Sequence, residues 1–323
     1  MSPPEDDRGA TASGPQIVVV GAACRDIAPD DPRGWRIGGG VTYGALTVAR
    51  LGLPTAALVG VDGDAQSASE LDLLREAGVD VRTVLLERGP VFENMERPEG
   101  RLQISHSPSD PVPVAALPAD WIDAPGWILA PVAAELPDAW ASIPSDRATV
   151  AVGWQGLLRV LERDRPVRHL PPTNSPIVRR ADLVGVSRDD LDGRILLAEL
   201  CGLLRPGATL AVTQGVNGGL VMEATLGGPT RMRHYPAVPT ARLVDATGAG
   251  DVFLAALAAA RIEPRLVGGR IAAGHDVLLA AAAASLVLEA RGLLGVPERA
   301  AVRERIRAGL GASLAVRRAT TDA

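Results

Sequence analysis

Asp245-Ala246-Thr247-Gly248-Ala249-Gly250-Asp251 runs directly into an unbroken apolar stretch, Val252 to Ala260. An apolar, Ala-rich run of that length reads as a buried helix, and the two glycines at its mouth let the backbone approach a ligand closely. The first N–H groups of a helix have no partner within it, and the helix dipole adds positive potential there. The segment therefore has the makings of an anion site. A phosphate suits it, and Asp251, in the first turn, would stand beside an incoming phosphoryl group as acceptor for the proton of a hydroxyl. A purely structural reading of the same residues is a turn plus a first-turn acid that stabilises the helix dipole by about 0.3 to 1 kcal/mol.

Upstream, Gln16 to Val20 is a short apolar run ending in Gly21, the pattern of a buried strand. Val41 to Leu51 reads as a helix stopped by Gly52 with Pro54 beyond, Ala56 to Val59 as a second buried strand, and Asp64 to Ala77 as a helix with Asp64 at its N-cap and Gly78 at its end. Strand, helix, strand, helix implies a mostly parallel sheet with helices on its faces. Between Val81 and Ser105 short runs (VRTVLLE, VFENME, RLQISH) alternate with Gly89-Pro90 and Pro98-Glu99-Gly100, which predicts hairpin-like strands. With Trp35 to Ile37 they would make a small accessory sheet, a lid with segments at about 34–40 and 91–106. The α/β rhythm resumes at Trp127, with strands at Ile128 to Leu129, Thr149 to Val152, Leu183 to Val186 and Thr209 to Thr213. Arg270 to Glu289 is a further apolar helix. Residues 1–14 and 311–323 read as tails around one domain of 15–310.

Composition removes several classes of function. All 33 basic residues are Arg, which rules out a Walker-A lysine, a protein-kinase strand lysine and a Schiff base. A net charge of −5 without a basic run argues against nucleic acid. The most apolar stretch, Val277 to Leu288, is shorter than the 18 to 20 or so residues a membrane span needs, so no membrane partner is expected. The first fifteen residues lack the basic and apolar regions of a signal peptide, and a cytoplasmic location is expected. Cys24 and Cys201 are too few for a disulfide framework, and four scattered histidines give no zinc motif. A Rossmann dehydrogenase would need GxGxxG after the first strand, where Gly21-Ala22-Ala23-Cys24-Arg25-Asp26 stands.

The string DATGAGDVF resembles the most specific signature of the PfkB, or ribokinase-like, kinases, and the likeness extends in order over nearly the whole chain. Gly38-Gly39-Gly40-Val41-Thr42-Tyr43-Gly44-Ala45 resembles the first signature, with Tyr43 where many members carry a sugar-contacting Asn. That departure argues against ribose or fructose phosphate as substrate. The resemblance implies a three-layer α/β/α domain with a mostly parallel central sheet and a small β lid. It implies ATP and Mg²⁺, with K⁺ and a lid-mediated homodimer as open questions. Its residues carry over as Asp251 for catalysis, with Gly248, Ala249 and Gly250 as the anion hole. Asp26, Gly39, Gly40, Tyr43 and Gln103 would bind the acceptor, and Thr213, Gly215, Gly218 and Thr247 the nucleotide. Ser187-x-x-Asp190, in place of the family's Asn-x-x-Glu, would organise Mg²⁺ through water, although Ser187 also suits an N-cap. The expected activity is transfer of the γ-phosphoryl group of ATP to a hydroxyl of a sugar or polyol, inositols among them. A nucleoside kinase of the same fold and a catalytically silent ligand-binding relative are the alternatives.

Overall fold

The structure, a computed structural model, describes residues 14–97, 100–225, 231–268 and 274–309. The expected tails lie outside these apart from Gly14, as do residues 270–273 of the expected helix Arg270 to Glu289, which starts at His275.

Nine strands among the described residues form the central sheet, in the spatial order Arg231–Tyr235, Gly219–Glu223, Thr209–Thr213, Leu183–Ser187, Thr149–Gly153, Gly126–Leu129, Ile17–Ala22, Thr55–Val61 and Asp80–Leu85. All neighbours pair in parallel except the hairpin strands Gly219–Glu223 and Arg231–Tyr235 at one edge. The six residues of Ile17–Ala22 are all buried, because both faces of a parallel sheet are covered. Their alternation divides the core in two. Ile17 and Val19 face the Ala-rich helices Gly40–Arg50, Ala249–Ile262 and His275–Val287, whereas Val18, Val20 and Ala22 face Trp121, Trp127, Trp140 and Trp154.

The second face has little helix. Among the described residues, short 3₁₀ turns hold Trp121 and Trp140 and another begins after Trp154, Trp127 lies in the strand Gly126–Leu129, and only Pro176–Arg180 and Leu197–Leu200 are brief α-helices. Eight prolines between Pro108 and Pro144 account for this, since each removes an N–H and obstructs the preceding turn.

A second sheet grows from the first. Cys24–Ile27 starts one residue after Ile17–Ala22 ends and sits in the order Arg165–Pro166, Gly100–Ser107, Val91–Arg97, Cys24–Ile27, Trp35–Gly38. The accessory sheet thus contains the segments expected for it near 34–40 and 91–106. The run VRTVLLE is a correction: Asp80–Leu85 joins the edge of the central sheet, parallel to Thr55–Val61. The helix expected over Asp64 to Ala77 is also broken, into a turn at Ala65–Ser67 and a helix at Glu70–Glu76. Asp62 Oδ1, rather than Asp64, accepts from the Ala65 N–H, and the Asp64 carboxylate pairs with Arg25 at 2.9 Å.

Candidate active site

Two helix N-termini meet at the carboxyl ends of the parallel strands. Gly39, at φ +100°, leads into Gly40–Arg50, and Gly248, at φ +79°, leads into Ala249–Ile262. Both glycines are fixed by their neighbours: a Cβ on Gly39 would press on the Ala22 carbonyl at 2.7 Å, and one on Gly248 would overlap the ring of buried Tyr43. Gly40 brings its helix onto Asp251, since a Cβ there would come within 2.9 Å of Asp251 Oδ1 and 3.0 Å of Ala130 Cβ. Val252 donates to Gly248 O at 2.9 Å, so the helix ladder begins there, and the N–H groups of Gly250 and Asp251 have no acceptor one turn back. Ala249 donates weakly, at 3.5 Å, to Ala246 O. Gly250 is exposed and its missing side chain would meet nothing within 4 Å, so this end of the helix opens outward.

A carboxylate at a helix N-terminus ordinarily holds a low pKa. Asp251 departs from that rule. Burial, opposed by the Arg159 charge and reinforced by Asp190 and Asp26, pushes its pKa up to about 7. The group sits near neutrality, where a proton acceptor works best at physiological pH.

The accessory sheet brings the predicted acceptor residues to the same place. Gln103 Nε2 donates to Asn94 Oδ1 at 2.7 Å, and Asn94 Nδ2 donates to Asp26 Oδ1 at 3.3 Å, a chain of polar groups across three neighbouring strands. Gly38 is open to Asp26 in a literal sense, because a Cβ there would overlap Asp26 Oδ2. Tyr43 is 1% exposed and packs under Gly248; burial first, then the charges of Asp26 and Asp245, hold its phenol protonated well above the usual value.

Among the residues expected to meet the nucleotide, Thr213 ends its strand opposite Gly219, and Gly215 follows at φ +54° with open space where a side chain would be. Gly218 has a structural cause of its own: a Cβ there would overlap the Tyr235 carbonyl. The Thr247 N–H is held by Asp245 Oδ1 at 2.9 Å. Ser187 Oγ accepts from the Asp189 N–H at 3.2 Å, an N-cap of the turn Arg188–Asp190. Asp190 is buried, with Gln155 Nε2 at 3.0 and 3.2 Å from its two oxygens and Arg159 beside it. Ser187 and Asp190 are therefore committed to protein partners, and no cluster of three or more His, Cys, Asp or Glu suited to a metal occurs among the described residues.

Two residues here escaped the motif reading. Arg159 lies in an otherwise apolar run, Leu157-Leu158-Arg159-Val160-Leu161, and its burial was signalled only by that company. Glu135, 1% exposed, accepts from the N–H groups of Ala22, Val132 and Ala133 at 2.7 to 3.1 Å, and so ties the end of the first strand to the loop after Gly126–Leu129. Burial raises its pKa, and those N–H groups oppose the rise.

Residues 196–299, which include the glycine turn, Asp251 and both long helices on its face, match the family model of the pfkB family carbohydrate kinases. The chain has the ribokinase fold. The fold is similar to that of a pyrophosphate-dependent kinase of the ribokinase family, solved with a pyrophosphate analog and myo-inositol, with a TM-score of 0.69 and 21% identity over 89% of this chain and 99% of the other. Arabidopsis thaliana ribokinase, complexed with ribose and ATP, gives 0.63 and 22% over 91% and 99%. The nucleoside kinase of Methanocaldococcus jannaschii gives 0.61 and 16% over 91% and 99%. No curated protein matches this chain. No helix among the described residues is long and apolar enough to cross a membrane.

Proposed function

We propose that this protein is a PfkB-type kinase that transfers the terminal phosphoryl group of ATP to a hydroxyl of a neutral sugar or polyol. The observation that carries the reading is Asp251, held between two helix N-termini with a proton affinity near neutrality. The acceptor oxygen bonds to the terminal phosphorus while the bond from phosphorus to the bridging oxygen breaks. The bridging oxygen keeps the electron pair, and the hydroxyl proton passes to Asp251. Because the transition state is loose, the protein's main tasks are positioning and charge neutralisation, for which the N–H groups of Gly250 and Asp251 are preorganised. Mg²⁺, when carried in by the donor phosphates, would neutralise further charge. The prior engagement of Ser187 and Asp190 fits poorly with a dedicated metal-organising pair.

The accessory sheet supports this acceptor class. Asp26, Asn94 and Gln103 offer a carboxylate and two amides, which suit hydroxyls and provide no cation for a second phosphate. A nucleoside is disfavoured because Tyr43 and Phe92 are each 1% exposed, and the Trp35 ring is occupied by the guanidinium groups of Arg33 and Arg25, 4.6 and 5.6 Å from its centre. The named likeness to a pyrophosphate-dependent kinase makes pyrophosphate the second donor to try.

Phosphorus NMR with ATP or pyrophosphate against ribose, fructose, myo-inositol, fructose 6-phosphate and adenosine tests this. A neutral sugar or polyol should be phosphorylated at least tenfold faster than the ester or the nucleoside. Preference for fructose 6-phosphate or adenosine would overturn the acceptor class, and absence of transfer from either donor would leave a ligand-binding protein.

A further inference from the structure

Arg159 is buried where a charge needs compensation, and it has little. Its side chain and that of Asp190 are each 7% exposed, yet Nη2 reaches Asp190 Oδ1 only at 3.5 Å, long against the roughly 2.7 to 2.9 Å of a charge-assisted hydrogen bond. Among the described residues Nε has no hydrogen-bond partner. Asp190 is better served by Gln155, at 3.0 and 3.2 Å, so the carboxylate is held in place without consuming the guanidinium. The Phe92 ring, on the accessory sheet, lies 5.9 Å from the guanidinium carbon. Burying a guanidinium with one loose contact is costly, and a structural role alone is better filled by an apolar side chain of the same size. The arrangement makes sense if a stronger anion arrives.

The surroundings say which anion. Arg159 and the carboxylates of Asp190 and Asp26 all act on Asp251, and Arg159 is the positive one among them. A polyphosphate entering among three carboxylates meets repulsion unless a fixed cation offsets it, and the chain contains no lysine to share that task. The N–H groups of Ala249–Ile262 approach from one helix end, while Arg159 comes from the segment after Thr149–Gly153.

From this geometry we infer that Arg159 is a further catalytic residue, whose guanidinium binds the phosphoryl group in flight between donor and acceptor. This rests on the phosphotransferase reading above. Arg159 takes no proton and forms no covalent bond. It supplies donors to the equatorial oxygens of the phosphorus as the new O–P bond forms and the bridging O–P bond breaks, with the proton on Asp251. Asp190, fixed by Gln155, orients it.

The test uses the full chain and R159Q, with R159K as the second variant. R159Q should lower kcat by about 10²- to 10³-fold, the loss typical of a transition-state donor, while acceptor KM and the Kd for ADP stay within threefold. R159K should recover only part of kcat, because a point charge cannot reproduce the planar fork. Methylguanidinium added to R159A should restore transfer at least tenfold without stimulating wild type. A merely structural residue would shift the melting temperature and the amount of active protein, and would show neither the selective kcat loss nor the rescue. Should R159Q fail to melt cooperatively, R159K carries the kinetic comparison. Wild-type transfer matched within threefold by a folded R159Q or R159K would overturn the assignment and leave the kinase reading standing. If wild type transfers nothing, the kinase reading fails by itself and pyrophosphate binding decides Arg159. A Kd at least tenfold weaker in R159Q then supports the anion contact, and an unchanged Kd refutes it.

Discussion

Asp251→Asn is expected to lose 10²- to 10⁴-fold in kcat while donor affinity changes little. The amide keeps the size of the side chain and can still accept a hydrogen bond, yet it cannot take up the hydroxyl proton, and loss of a positioned base is worth that range. At about 1.36 kcal/mol per decade the barrier rises by roughly 3 to 5 kcal/mol. A first-turn helix charge would instead be worth about 0.3 to 1 kcal/mol of stability and leave the chemistry intact. Stability should move in the opposite direction. The folded-state pKa of about 7 lies above the unfolded value, so the folded chain binds the proton more tightly than the unfolded one. The associated stability is present below the unfolded pKa and is lost as pH rises through 7. With a reference near 3.9, the cost above pH 7 is at most about 4 kcal/mol. Asp251→Asn removes that cost, so urea melts should find the variant more stable than wild type at pH 8 and nearly equal to it at pH 4. A variant destabilised at pH 8 would show the carboxylate to be a favourable structural charge.

Gly248→Ala should cost about 2 to 5 kcal/mol and remove most of the activity. Left-handed backbone costs an alanine roughly 1 to 2 kcal/mol. The new Cβ would overlap the ring of Tyr43, which is buried and has nowhere to retreat, and overpacking of this kind costs about 1 to 3 kcal/mol more. The collision pushes on the residue that starts the helix, so the Gly250 and Asp251 N–H groups and the Asp251 carboxylate move together. Displacement of about an ångström at a catalytic constellation can cost 10²-fold, and kcat should fall at least that far in the protein that remains folded. Thermal melts and single-turnover transfer on one preparation separate the two effects. Unchanged kcat in a folded Gly248→Ala protein would mean that the turn does not position the chemistry.

Much of this was legible in the residue pattern because two physical signals are local. The apolar runs of Ile17–Ala22 and Thr55–Val61 are what burial on both faces of a parallel sheet requires. Gly248, ahead of Val252, marks a close approach that the structure traces to Tyr43. Other features depend on distant partners and left weaker traces. Asp80–Leu85 reads like the hairpin strands that follow it, and only its pairing with Thr55–Val61 assigns it to the central sheet. Asp64 has the chemistry of an N-cap but is drawn to Arg25, 39 positions earlier in the chain. The proton affinity of Asp251 was out of reach for the same reason: its helix position argues for a low value, and what overrides it is burial together with Asp190 and Asp26, none of which the local motif encodes. Arg159 and Gln155 belong to no motif, and their importance appears only when Asp190 is seen turned inward between them.

The most direct test of Asp251 as the proton acceptor is the pH dependence of single-turnover phosphoryl transfer by wild type, from pH 5 to 9, with donor and acceptor saturating. The carboxylate must be ionised to act, so the rate should rise about tenfold per pH unit on the acidic limb and level off above an apparent pKa of about 7. Asp251→Asn should lose that limb. A wild-type rate that is flat from pH 5 to 8, or an acidic limb that persists unchanged in Asp251→Asn, would contradict the account.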